Sequence, residues 1–200
     1  MIKKSEKIWL GIIVLCFIII PWLIFRGIIH YEHRFWALGV MSFIVIFIGF
    51  LRSYSLEELG FRKRYMGPSL LLNACITFMT LVTVYLTLRQ NFTRTLEMSS
   101  STQFFFFYVF ASCPIQELMY RSILHAEMKR NDIKSPIMLI ATSSLLYSYL
   151  HIFYFDWVTM IATLIMGIVW GYSYFKYPFL PAIALSHSIV GATSIYLGFI

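Results

Sequence analysis

The chain has 200 residues, of which 60% are hydrophobic and 12% charged, and its mean hydropathy is +0.77. Soluble domains average about 45–50% apolar and about 25% charged residues, so this balance excludes a soluble globular domain and implies a membrane protein whose first partner is the lipid bilayer. The formal net charge of +7 does not point to nucleic acid, because Lys and Arg are scattered between apolar runs instead of sharing one hydrophilic face.

Measured against the roughly 20 apolar residues that a spanning helix needs, the sequence predicts an all-α polytopic bundle of about seven spans. They fall near 8–25, 35–51, 66–88, 103–125, 136–155, 157–175 and 179–200. The first has a basic start but no small-residue cleavage site after it, and is expected to be a retained span and not a signal peptide. Residues 53–65, with Glu57, Glu58, Arg62, Lys63 and Arg64, form the most polar stretch and predict a short amphipathic connector. Phe104 to Phe107 suits a lipid-facing start to the fourth span. Asp156 and Trp157 leave room only for a tight turn, or a break in one helix, between the fifth and sixth. No internal repeat or flexible linker divides the chain. Residues 1–102 carry spans one to three and residues 103–200 spans four to seven, within a single membrane domain.

Cytoplasmic loops retain an excess of Lys and Arg. Lys3, Lys4, Lys7, Arg52, Arg62, Lys63, Arg64, Lys129, Arg130, Lys134 and Lys176 make eleven on one side, against Arg26, Arg34, Arg89 and Arg94 on the other. The amino terminus is therefore expected in the cytoplasm, with a bacterial plasma membrane as the expected location. Cys16, Cys75 and Cys113 all sit in apolar stretches without C-x-x-C spacing, which suggests packing residues and neither a disulfide framework nor a thiolate metal site.

An ionisable side chain in hydrocarbon costs about 2.5–3.5 kcal/mol on insertion scales, so each one present is a candidate for function. Glu117 and Arg121 are four apart on span four, with Glu on the amino-terminal side, the better order for an ion pair. His125 continues their stripe, His151 lies late in span five and His187 lies in the first half of span seven. On one reading the Glu–Arg pair is structural glue. On another, a carboxylate, a guanidinium and two imidazoles can activate a water and receive a developing oxyanion, and the same groups could hold a metal. His30 and His33, beside Glu32 and Arg34, read as surface residues.

Gln116-Glu117-Leu118-Met119-Tyr120-Arg121, Tyr147-x-x-x-His151 and His187-x-x-x-Gly191, in that order, resemble the E-E-x-x-x-R, F-x-x-x-H and H-x-x-x-N motifs of the CPBP (Abi) family. That family contains type II CAAX prenyl endopeptidases and bacteriocin-processing or immunity proteins. The resemblance covers about residues 103–200, and Leu56-Glu57-Glu58-Leu59-Gly60-Phe61 extends it weakly upstream. It implies an intramembrane glutamate-type protease fold acting on or binding a membrane-associated protein or peptide; no cofactor is expected and no metal ligand is assigned. It also implies that position 116 and His151 activate the attacking water, that Glu117 and Arg121 support them, and that His187 and position 191 stabilise the oxyanion.

At two of these positions the chain departs from the pattern. Gln116 replaces the expected Glu, and an amide cannot accept a proton near neutral pH. Gly191 replaces the expected Asn and has no side chain to donate. Both losses fall on catalysis, so two readings stay open: an endopeptidase that uses Glu117 or a Gln116-ordered water, and a catalytically silent membrane partner such as an immunity factor, a sensor-kinase modulator or an envelope-enzyme scaffold. A proton-coupled carrier is a third, disfavoured by the missing inverted repeat. On this reading, restoring Gln116→Glu together with Gly191→Asn is expected to outperform Gln116→Glu alone.

Overall fold

The computed structural model of the protein describes residues 4–89 and 101–198. Among the described residues the regular structure is helical, and the only β pairing is one isolated antiparallel bridge between Phe61 and Phe179. We label the helices α1 (Lys4–Phe25), α2 (Arg34–Leu51), α3 (Met66–Leu88), α4 (102–130), α5 (Pro136–Tyr149), α6 (Trp157–Lys176) and α7 (Leu180–Tyr196). Each apolar run of the sequence thus holds a helix. Five stretches are long and apolar enough to cross a bilayer: Lys7–Phe25, Tyr31–Leu51, Lys63–Leu88, Pro136–Tyr154 and Trp157–Lys176. The two other expected spans correspond to α4 and to α7, an apolar helix of 17 residues. The protein is an integral membrane protein.

Its polarity pattern fits a lipid environment. Trp36, Phe43, Phe50, Leu71, Phe78, Ile137 and Ile161 face outward, while Asn73, Glu117, Arg121, Ser122, His125, Glu127, Ser143, Ser173 and His187 are buried. Lipid tails satisfy the apolar exterior, and buried polar groups bond between helices, as expected where burial of apolar surface cannot drive helix association. Asn73 Nδ2 donates to Ser173 Oγ at 2.8 Å, and the Thr77 and Ser186 hydroxyls bond at 2.8 Å, tying α3 to α6 and α7. Small residues let α5 and α6 approach closely: a Cβ on Gly167 would stand 3.1 Å from Ser144 Cα. The α5–α6 connection is a tight turn. Phe155 adopts a left-handed conformation (φ 54°), and the Asp156 carboxylate caps α6 by accepting from Thr159 N at 2.8 Å.

α4 is continuous but not uniform. α-Helical Thr102–Phe107, Cys113–Glu117 and Leu124–Arg130 are separated by π-helical Tyr108–Ser112 and Leu118–Ile123. The first widening has a local cause: Pro114 lacks an N–H and its ring crowds the carbonyl four residues back, that of Phe110, inside the widened turn. Such insertions re-aim side chains and recur at functional sites.

The two ends of the bundle differ. One gathers aromatic rings: Phe25 stacks on Phe155 (centroids 4.8 Å apart), Tyr31 meets Phe153 and Tyr154, and Phe35 meets Phe104 and Phe107. The other gathers charge. Residues 53–65 form turns and one 3-10 turn, Lys63–Tyr65, and are clasped to the end of α4. Arg52 Nε donates to Glu127 at 3.0 Å, Tyr54 also bonds that carboxylate, and Arg130 donates to both oxygens of Glu58 at 2.9 and 3.0 Å. Partial burial of Glu58 opposes its ionisation, but the Ser55 N–H and the Arg130 guanidinium outweigh it and hold the carboxyl below its ordinary value. Gly60, at φ 80°, sits where a Cβ would be 2.5 Å from the Tyr174 ring, so only glycine fits there.

Candidate active site

The residues singled out from sequence occupy two adjoining regions. The first is a buried ion network. Glu117, on the short α-helical stretch between the two π segments, accepts from His187 Nδ1 at 2.8 Å, and its other oxygen lies 3.3 Å from Arg121 Nε. A carboxylate only accepts, so His187 carries its proton on Nδ1 here, and its Nε2 lies 3.1 Å from the Tyr147 hydroxyl. Trp170 stacks on the imidazole, centroids 4.6 Å apart, while its own N–H donates to Ser186. Arg121 donates to Ser143 Oγ at 2.9 Å and sits over the Tyr147 ring, and His125 Nε2 lies 3.1 Å from the same serine hydroxyl. Glu117, Arg121 and His187 are thus brought together and are almost completely buried. With both ring nitrogens engaged, His187 is held in place by side chains from α4, α5 and α6.

The second region is a cavity of about 570 Å³ between α2 and the first half of α4, closed on one side by residues 150–154. Phe35, Trp36, Phe104 and Phe107 line its aromatic end. Tyr108, Ser112, Gln116, His151 and Tyr154 supply its polar wall. Gln116 Nε2 donates to Ser112 Oγ at 2.9 Å, and its Oε1 is buried without a protein partner. His151 Nδ1 lies 3.0 Å from the Tyr147 carbonyl oxygen. A carbonyl can only accept, so Nδ1 bears the proton and Nε2 keeps its lone pair. The local cause is that α5 ends at Tyr149: the Tyr147 carbonyl is one of the helix-end groups without an intrahelical donor, and the imidazole reaches back to it.

His151 and the buried network are joined through Tyr147, whose ring centroid is 5.3 Å from that of His151 and 5.6 Å from that of His187. α4 extends to Arg130, beyond the 103–125 expected from hydropathy. Tyr108 and Ser112 are the site residues that sequence reasoning missed. They precede Gln116 at intervals of four, a polar stripe legible in the sequence but interrupted by Phe110 and Pro114. His30 and His33 are exposed, and Cys113 is buried beside the site as a free thiol. Among the described residues, no three His, Cys, Asp or Glu side chains gather as metal ligands.

Gly191 is occupied differently from the expectation. A Cβ there would be 2.2 Å from the Tyr108 hydroxyl oxygen and 2.9 Å from two ring carbons. The space of the missing side chain is filled, so Gly191→Asn cannot restore a donor unless Tyr108 moves.

The family model for type II CAAX prenyl endopeptidase Rce1-like proteins matches residues 98–193. That segment is similar to the CAAX protease family. It contains the whole of α4, α5 and α6 and most of α7, hence both the buried network and the polar wall of the cavity. Comparison with curated proteins and with solved structures gave no match.

Proposed function

We propose that the protein is a membrane endopeptidase of the CAAX protease family that binds a membrane-associated peptide in the α2–α4 cavity and hydrolyses it with a water held between Gln116 and His151. The observation that carries this reading is that Gln116, whose amide oxygen has no protein partner, and His151, whose Nδ1 is engaged and whose Nε2 is left to accept, line the same cavity wall. Water offers two hydrogens. The amide oxygen orients one, and the imidazole takes the other as the water oxygen bonds to the peptide carbonyl carbon and the carbonyl electron pair moves to oxygen. The proton held on His151 then passes to the departing amine as the C–N bond breaks, leaving one carboxylic acid and one amine. Glu117 and Arg121 act at one remove by fixing α4 against α7, and Tyr147 couples that framework to His151. The apolar Phe35, Trp36, Phe104 and Phe107 suit a lipid-attached or apolar segment, and the family's substrate class makes a prenylated peptide the first to try.

The test is cleavage of a prenylated, membrane-tethered peptide by purified protein in detergent. Loss of a general base lowers rates by about 10²–10⁴-fold, so His151→Ala should do so, and Gln116→Glu should accelerate turnover by adding a second base. Wild-type cleavage untouched by His151→Ala would overturn the assignment. A second reading, a silent peptide-binding partner, is favoured by the amide at position 116, which orients water but takes no proton. It requires that the peptide bind without being cut.

A further inference from the structure

We infer that the Tyr108 hydroxyl is the hydrogen-bond donor to the carbonyl of a peptide bound in the cavity, taking the place of a side chain at position 191. The inference deepens the peptide-handling reading and rests on it. Its starting point is the glycine. Gly191 lies inside α7 and its backbone is not in the left-handed region, so the conformation itself does not call for glycine. In a helix interior glycine is about 0.5–1 kcal/mol worse than alanine. Its presence is explained by space, because the phenol of Tyr108 runs over the bare Cα at a distance that no side chain tolerates. Tyr108 and Gly191 therefore form one unit contributed by two helices.

The hydroxyl is delivered to a definite place. Tyr108 opens the π-helical turn that Pro114 imposes, its ring meets the His187 imidazole edge-on with centroids 6.4 Å apart, and it lines the cavity together with Gln116 and His151. Its polar neighbour is the Cys113 thiol, a weak acceptor that leaves the phenolic proton available for a better one. On the same wall, Gln116 Oε1 and His151 Nε2 are acceptors. A carbonyl whose carbon faces a water on those acceptors needs a donor on its oxygen, and Tyr108 supplies it. A single donor of this kind is worth about 10²–10³-fold in rate where hydrolysis occurs.

The experiment uses a membrane-tethered peptide in which the scissile amide is replaced by a ¹³C-labelled ketone. The ketone cannot be cleaved, and its stretching frequency falls when its oxygen accepts a hydrogen bond. Isotope-edited infrared spectra are recorded with the full chain in detergent. The expected result is a lowered frequency with wild type that relaxes in Tyr108→Phe, which retains the ring over Gly191. In Tyr108→Ala combined with Gly191→Asn, where the phenol no longer blocks the new side chain, the lowered frequency returns. With a cleavable peptide, Tyr108→Phe should reduce kcat by about 10²–10³-fold and change KM little. A ketone that binds with the same frequency in wild type and Tyr108→Phe overturns the role of Tyr108 and leaves peptide binding intact. Failure of wild type, Tyr108→Phe and the double variant alike to bind the ketone peptide overturns both.

Discussion

Replacing Glu117 by Leu tests whether the buried network holds the bundle together. The Glu117 carboxylate and Arg121 guanidinium are 3.3 Å apart and essentially unexposed. At an effective dielectric of about 20 their attraction is roughly 5 kcal/mol, much of which offsets the cost of taking both charges out of water. Removal of one partner forfeits the attraction while the other charge stays buried, and typically costs about 3–5 kcal/mol. Glu117→Leu also strips His187 Nδ1 of its acceptor, a separate loss of about 1–3 kcal/mol. In Glu117→Leu combined with Arg121→Met no orphan charge remains, and only the histidine loss should persist. The measurement is denaturant unfolding in detergent micelles followed by tryptophan fluorescence, with Trp170 reporting from the face of His187. Glu117→Leu should lose at least about 3 kcal/mol, and the double variant should recover about 2 kcal/mol or more of it. A single variant within about 0.5 kcal/mol of wild type, or a double variant no better than the single, would refute this account of the network.

Two further outcomes follow from the charged end of the bundle. The Glu58 carboxyl is held below its ordinary value of 4.5, so its contribution to stability is present above that pH and disappears as pH falls below it through the folded value. Melting temperatures of wild type and Glu58→Gln should therefore differ at pH 7 and converge under acid, whereas a constant difference down to pH 3 would show that the clasp is not ionic. On the orientation that the eleven-to-four division of loop charge predicts, with residues 63 and 129 in the cytoplasm, single cysteines introduced at Lys63 and Lys129 should resist a membrane-impermeant thiol reagent applied to intact cells. Efficient labelling of either from outside would reverse the proposed orientation.

Composition and hydropathy alone determine the class of this molecule, because a chain this apolar can hide its backbone polar groups in lipid only as helices or as a closed barrel, and its runs have helical length. Spacing also determined the Glu117–Arg121 pair, since residues four apart on a helix are neighbours whatever surrounds them. The motif positions were legible on the same ground, and both departures, Gln116 and Gly191, could be seen without coordinates. The meaning of those departures was a matter of tertiary structure. Tyr108 lies 83 positions before Gly191 in the sequence, and only the packing of α4 on α7 brings its hydroxyl into the space that a residue-191 side chain would fill. Likewise, sequence treated Glu117, Arg121, His151 and His187 as one polar set. The fold sorts them into a sealed ion network and a cavity wall: Glu117, Arg121 and His187 meet between α4 and α7, whereas His151 lies past the end of α5 at the cavity, and π-helical turns interrupt α4 on either side of Glu117. A periodicity of 3.6 read from the sequence contains no such turns, so the division between framework and reacting surface belongs to the tertiary structure.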